Sequence, residues 1–390
     1  MTSPANAAQR ALDPGPHADF RVRPSPRIAA LPILMLVLAA VPAAIAVELH
    51  WRQVADLPDP AGRKGMVAGL AGDRVVLAGG SNFPVPRNAG GKKTFHRTAW
   101  VQPLAGAGRD AWTPLGDVLP RALAEGAAVT TPHGVVSLGG DGGAGMLGDV
   151  LLLAWNPARA VLDPLPLPPL PLAVGSAAAA WHEGKLYVAG GDDGRGGTHL
   201  CAALDLGAAL RDPAPVRWEP LPPWPGPRRF GAALVPVEFP DGKTHLVLAG
   251  GRIGAPGPAT QMDYLADAFA YDPRARSWRA LPPLPRPALL AVALRASAGR
   301  LVIAGGSDGH DIERLAEIGE RYRLPGDAMV LDTRDGRWSP AGQMPLGIAG
   351  AAVVPLPGGG HLVAGGEYSP GRRTAQVHHL TVRDEGGGVP

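Results

Sequence analysis

Six times along the chain a short apolar run stops on a pair of glycines: VVLAGG at 75–80, VVSLGG at 135–140, LYVAGG at 186–191, LVLAGG at 246–251, LVIAGG at 301–306 and HLVAGG at 361–366. Each run is four to eight residues of β-branched and aliphatic side chains bounded by turn formers, the pattern of a buried strand. Upstream of each lies a second strand pattern built from small residues, such as GMVAGLAG, EGAAVTT, GSAAAAW and IAGAAVV. Downstream come a polar loop, a third strand such as AFAYDP or AMVLDT, and a fourth that starts near Trp112, Trp218, Trp278 or Trp338 and leads into a Pro turn. The second unit departs from the pattern, because its Trp155 falls in the third strand.

The glycine pairs recur at intervals of 60, 51, 60, 55 and 60 residues. A period of this size marks an array of four-stranded units, and about 50 residues per unit is the Kelch period. The expected fold is therefore all-β: a six-bladed Kelch β-propeller. Close backbone approach at the crowded axis explains the small residues and the glycines. On this reading the second strand, ending in Gly-Gly, runs near the axis, and Trp fills the wide outer part of each wedge. The sixth unit has a third strand, VHHLTV, but no Trp strand after it, whereas HWRQVADLP around Trp51 precedes the first unit. The N-terminal strand is expected to join the C-terminal blade and close the ring, which leaves no open sheet edge.

Composition sharpens this picture. Gly (54) and Pro (44) make up about a quarter of the 390 residues, a level that would suggest disorder in an aperiodic chain. Apolar residues at 46% and nearly balanced charges argue for a folded chain. The net charge of +3, with no clustered basic stripe, gives no footprint for nucleic acid. The single cysteine, Cys201, excludes an intramolecular disulfide framework and a multi-Cys zinc site.

Residues 1–46 read as a polar extension followed by a signal peptide. Arg21, Arg23 and Arg27 precede an uncharged apolar run at 28–41, and Ala44-Ile45-Ala46 fits a small-x-small cleavage point. An uncleaved anchor is the alternative, since 28–47 could just span a bilayer. The expected division is signal segment 1–46, propeller 47–383 and flexible tail 384–390. The expected location is periplasmic or secreted, with no stable membrane association after cleavage.

The loops after the glycine pairs open on one face of a propeller. Those at 81–98, 252–267 and 307–327 are long, as functional loops tend to be, and the set is rich in Arg, Lys and His. They suit a small anionic or polyhydroxylated ligand. The stretches at 347–377, GIAGAAVVPLPGGGHLVAGGEYSPGRRTAQV, and 65–101 then resemble two blocks of the N-acetylneuraminate epimerase (sialic acid mutarotase) family. Their order along the chain resembles a cyclically permuted branch. The resemblance implies an exported six-bladed propeller that interconverts sugar anomers without metal or cofactor. The family's G-E-x-x-P-G-x-R-T motif matches Gly366 through Thr374, and so implies Glu367 and Arg373 as the catalytic pair. A carboxylate can move the protons that anomer exchange requires, and an Arg can hold a sugar carboxylate with two parallel bonds. Arg372, Asn82, Lys92 and Lys93 are further candidate substrate contacts, and Glu125 a candidate second carboxylate.

Two other readings compete. One is a non-catalytic Kelch propeller that binds glycan or protein on its loop face, since fold alone does not establish activity. The other is a copper-radical oxidase of the galactose oxidase type, whose Cys–Tyr link and His ligands are poorly matched by Cys201 in a strand and only five Tyr residues.

Overall fold

The computed structural model describes residues 47–384, apart from 107, 109, 110, 255–257 and 298. The expected signal segment at 1–46 and residues 385–390 of the expected tail lie outside the described residues. Six four-stranded antiparallel sheets are arranged in a ring as a β-propeller. Blade one comprises Lys64–Ala71, Arg74–Asn82, Thr98–Pro103 and Thr113–Asp117, with the short Thr94–Phe95 paired onto its second strand. Blade six combines Ala352–Pro355, His361–Ala364 and Val377–Asp384 with the N-terminal Val47–Gln53. Val47–Gln53 lies antiparallel to Val377–Asp384, with Trp51 opposite Leu380, so the ring closes by strand pairing as the sequence predicts.

The blades are held mainly to one another. Six apolar clusters each span two neighbouring blades, and the one across the seam packs Leu57, Met66, Leu77 and Trp100 of the first blade side against Val354, Leu362 and Val377 of the sixth. Burying a Val or Leu side chain stabilises by about 1.5–3 kcal/mol, so the seam is held by packing as well as by pairing. The tryptophans add a directional link. The indole N–H groups of Trp112, Trp218, Trp278 and Trp338 donate to carbonyls one blade back, on Ala55, Pro168, Pro222 and Pro282, at 2.8–3.2 Å.

The axis differs from the expectation. The first strand of each blade is innermost, and its small residues are what permit the crowding there. At the start of these strands the backbone forms a closed ring of six hydrogen bonds. The N–H groups of Gly65, Glu125, Ser176, Gly231, Leu290 and Gly350 each donate to the carbonyl of the ring residue in an adjacent blade, at 2.6–2.9 Å. All six have φ between 49° and 67°, three of them without being glycine. The glycine pairs make the next layer. The second glycine of each pair donates to the turn that opens the following blade, as in Gly366 N–H to the Arg63 carbonyl at 2.8 Å. A Cβ on Gly365 would lie 2.3 Å from that same oxygen.

The closing blade also carries an acid-sensitive group. Burial, with a smaller contribution from His379, lowers the His361 pKa from 6.5 to about 4, and its Nδ1 is buried with no hydrogen-bond partner among the described residues. Between these values the unfolded chain binds the extra proton and the folded one does not. Stability therefore falls as pH drops from 6.5 to 4, by about 3 kcal/mol from this group. Denaturant titrations at pH 7 and pH 4 should show a smaller loss in His361→Gln than in the wild type. Equal losses would rule His361 out as the source.

Candidate active site

The sequence GEYSPGRRT folds into a hairpin, Glu367–Ser369 against Arg372–Arg373, turned at Pro370-Gly371. Gly371 has φ +80°, which an L side chain adopts only with strain. The Gly371 N–H donates to Glu367 Oε2 at 3.0 Å. The hairpin is tied to the propeller by a reciprocal pair of 2.8 Å backbone bonds between Glu367 and Ala349, next to ring residue Gly350. Glu367 and Arg373 face each other across the register, so their side chains meet as a cross-strand ion pair.

Arg373 is nearly inaccessible, with a side chain 5% exposed beneath the Phe83 ring. Burial lowers its pKa to about 10; Glu125 opposes this shift and Arg87 adds to it. Its buried Nε has no hydrogen-bond partner among the described residues. On the other side of Glu367, Lys64 Nζ lies 3.8 Å from Oε1, and the same ammonium lies 3.3 Å from Glu125 Oε1. Charges of alternating sign thus run from Arg373 through Glu367 and Lys64 to Glu125. Burial pushes the Glu125 carboxyl up, but the cations Lys64, Lys93 and Arg373 together outweigh it and hold the group below its ordinary value.

The two ends of this row, Arg373 and Glu125, line separate spaces. A cavity of about 970 Å³ is lined by Arg87, Arg372 and Arg373 on one part and by Phe83, Ile312 and Leu315 on another. That is the upper end of the size range of small-molecule sites. A smaller space of about 200 Å³ on the axis is lined by Glu125, Ser176 and first-strand residues. Among the described residues no three His, Cys, Asp or Glu side chains stand together as a metal-ligand set.

The structure brings Glu367, Arg373 and Arg372 into one hairpin. Arg372, more exposed than its neighbour, lines the same cavity and pairs there with Glu320. Glu125 joins through Lys64. Asn82 stands apart: it is buried, donates to Asp59 at 2.9 Å and bonds His96 at 2.9 Å, so its amide is committed to the fold. Lys93 pairs with Asp141 at 3.3 Å and covers the Phe95 ring, and Lys92 is exposed; neither lines the large cavity. Sequence reasoning missed Lys64. It opens an ordinary small-residue strand, and only blades two and six, closing around it, supply its partners. Cys201 is buried in its strand as a free thiol, with its pKa raised by burial to about 12.

No protein-family model matches the chain. Over 120 residues it is 38% identical to the N-acetylneuraminate epimerase of Brucella melitensis, a match covering 27% of this chain and 30% of that protein. The protein of the same name from Yersinia enterocolitica is 26% identical over 234 residues, 54% of this chain and 56% of its own length. The chain thus spans about a third of the Brucella relative it matches and just over half of the Yersinia one. A solved structure titled "Structure of YjhT" superposes with a TM-score of 0.62 at 16% identity, covering 85% of this chain and 99% of that one. The chain is a six-bladed β-propeller whose curated homologues, matched over part of their length, are named N-acetylneuraminate epimerase.

Proposed function

We propose that the protein is an exported sugar mutarotase that interconverts the anomers of N-acetylneuraminate or a closely similar sugar acid. The observation that carries this reading is the convergence of Glu367 and Arg373 beside a cavity lined by further arginines. The names of the relatives point to the same substrate class.

Anomer exchange requires the ring C–O bond to break and re-form. The anomeric hydroxyl loses its proton as its oxygen becomes the carbonyl, the ring oxygen gains one, and reclosure on the other face reverses both transfers. One carboxylate within reach of both oxygens can act as base and then as acid. We assign this role to Glu367, whose partner Arg373 lines the large cavity. The Glu367 carboxylate pairs with Arg373. A sugar carboxylate that takes over the guanidinium frees Glu367 for proton transfer, so binding and activation are coupled. Arg87 and Arg372 line the approach.

Exchange-transfer NMR on N-acetylneuraminate, its methyl ester and glucose provides the test. The expected result is acceleration greatest for the free acid, with KM for the acid raised about 10-fold or more in Arg373→Lys, because an ammonium cannot form the paired bonds of a guanidinium. No acceleration of any of the three sugars would sink the catalytic reading, and saturable binding without acceleration would favour the sugar-binding propeller instead.

A further inference from the structure

We propose that Lys64 is a positioning residue that divides one ammonium between Glu367 and Glu125, and so sets the pH range in which Glu367 works as a base. The inference rests on the acid–base reading of Glu367. Lys64 Nζ lies 3.3 Å from Glu125 and 3.8 Å from Glu367, and the three side chains are 14%, 12% and 18% exposed. Such low exposure keeps water from screening the pair, so each charge is felt by the others.

The closed backbone ring at the axis fixes all three. Lys64 is rooted one residue before ring residue Gly65. Its aliphatic stem crosses ring residue Gly350, where an added Cβ would lie 2.6 Å from the lysine Cε. Glu125 is itself a ring residue, held at φ +57°. Glu367 is bonded through its backbone to Ala349, beside Gly350. A side chain larger than hydrogen at 350 would displace the lysine, which gives that glycine a role at the site as well as in the ring.

The other charges around the group are accounted for. Arg373 sits on Glu367. Lys93 acts on Glu125 from the first loop but is paired with Asp141 at 3.3 Å. Arg87 acts on Arg373. Ser176 Oγ lies 3.5 Å from the second Glu125 oxygen. Two carboxylates, one ammonium and one guanidinium therefore balance one another. When a sugar carboxylate claims Arg373, Glu367 keeps only its share of Lys64. Its proton affinity then depends on how strongly Glu125 competes for the same ammonium.

This predicts shifts of opposite sign, which a purely structural role would not produce. Lys64→Met removes the shared cation, and the acid limb of the kcat–pH profile should move up by about 1 pH unit or more. Glu125→Gln leaves Lys64 wholly to Glu367, and the limb should move down. Lys64→Arg should keep it near the wild-type position. Carboxyl ¹³C NMR titration of Glu367 in the sugar-free protein should show the same directions without any turnover. If the wild type turns over no sugar, the mutarotase reading fails and the titration alone decides the role of Lys64. If Lys64→Met does not fold, Glu125→Gln decides it. An unmoved Glu367 titration in Glu125→Gln, or shifts of the same sign in the two variants, overturns the proposal.

Discussion

Glu367→Gln is expected to lower kcat for anomer exchange by about 10³-fold, within the range that general acid–base groups supply. This corresponds to about 4 kcal/mol of barrier. The amide keeps the size of the carboxylate and an oxygen that can accept the Gly371 N–H, now bonded at 3.0 Å. It cannot take up the proton of the anomeric hydroxyl. It also leaves Arg373 and Lys64 without their shared anion, so substrate carboxylate should bind no more weakly than before. The expected signature is therefore a collapse in kcat with KM unchanged or lowered, read by exchange-transfer NMR. Circular dichroism should show an intact fold, because the hairpin is fixed by backbone bonds to Ala349 rather than by this side chain. A variant that retains the wild-type rate would remove Glu367 from the chemistry.

The second large effect concerns the ring. Gly365→Ala should destabilise the fold by about 3–5 kcal/mol, from left-handed backbone strain and overpacking. Gly365 has φ +65°, and its added Cβ would lie 2.3 Å from the Arg63 carbonyl oxygen. That oxygen accepts the Gly366 N–H at 2.8 Å across the seam between blades six and one. Moving it aside to relieve the clash breaks the bond, and Arg63 is buried and has little room to shift. Gly184→Ala is the control: φ is similar at +80°, but nothing lies within 4 Å of the added Cβ. It should cost only about 1 kcal/mol. Denaturant midpoints for the two variants measure the difference. Equal losses would mean that the conformation alone, and not the contact across the seam, explains the glycine.

Much of the architecture could be read from the sequence because a propeller is written in local terms. Each blade repeats its apolar strands, its glycine pair and its Pro turn, so six copies reinforce one reading. The closing strand was legible from its displaced Trp51 for the same reason. The axis was misassigned to the second strand because both inner strands are rich in small residues, and periodicity does not say which lies innermost. Glu367 and Arg373 were legible as the two positions of the resembled motif, but their meeting across a hairpin was not, because a bulge between Glu367 and Ser369 sets that register. Asn82 was not: a polar residue after a glycine pair looks the same whether its amide meets a ligand or, as here, Asp59 and His96.

The sequence by itself determined the number of blades and the closure of the ring, and pointed to Glu367 and Arg373 as a pair. Each depends on residues near one another in the chain or repeated along it. Only the tertiary structure decided what surrounds that pair. Lys64, Glu125 and Glu367 come from the first, second and sixth blades, and become neighbours because the ring of backbone hydrogen bonds draws the starts of all six blades to the axis. Charge coupling acts over a few ångströms of space, whatever the separation along the chain.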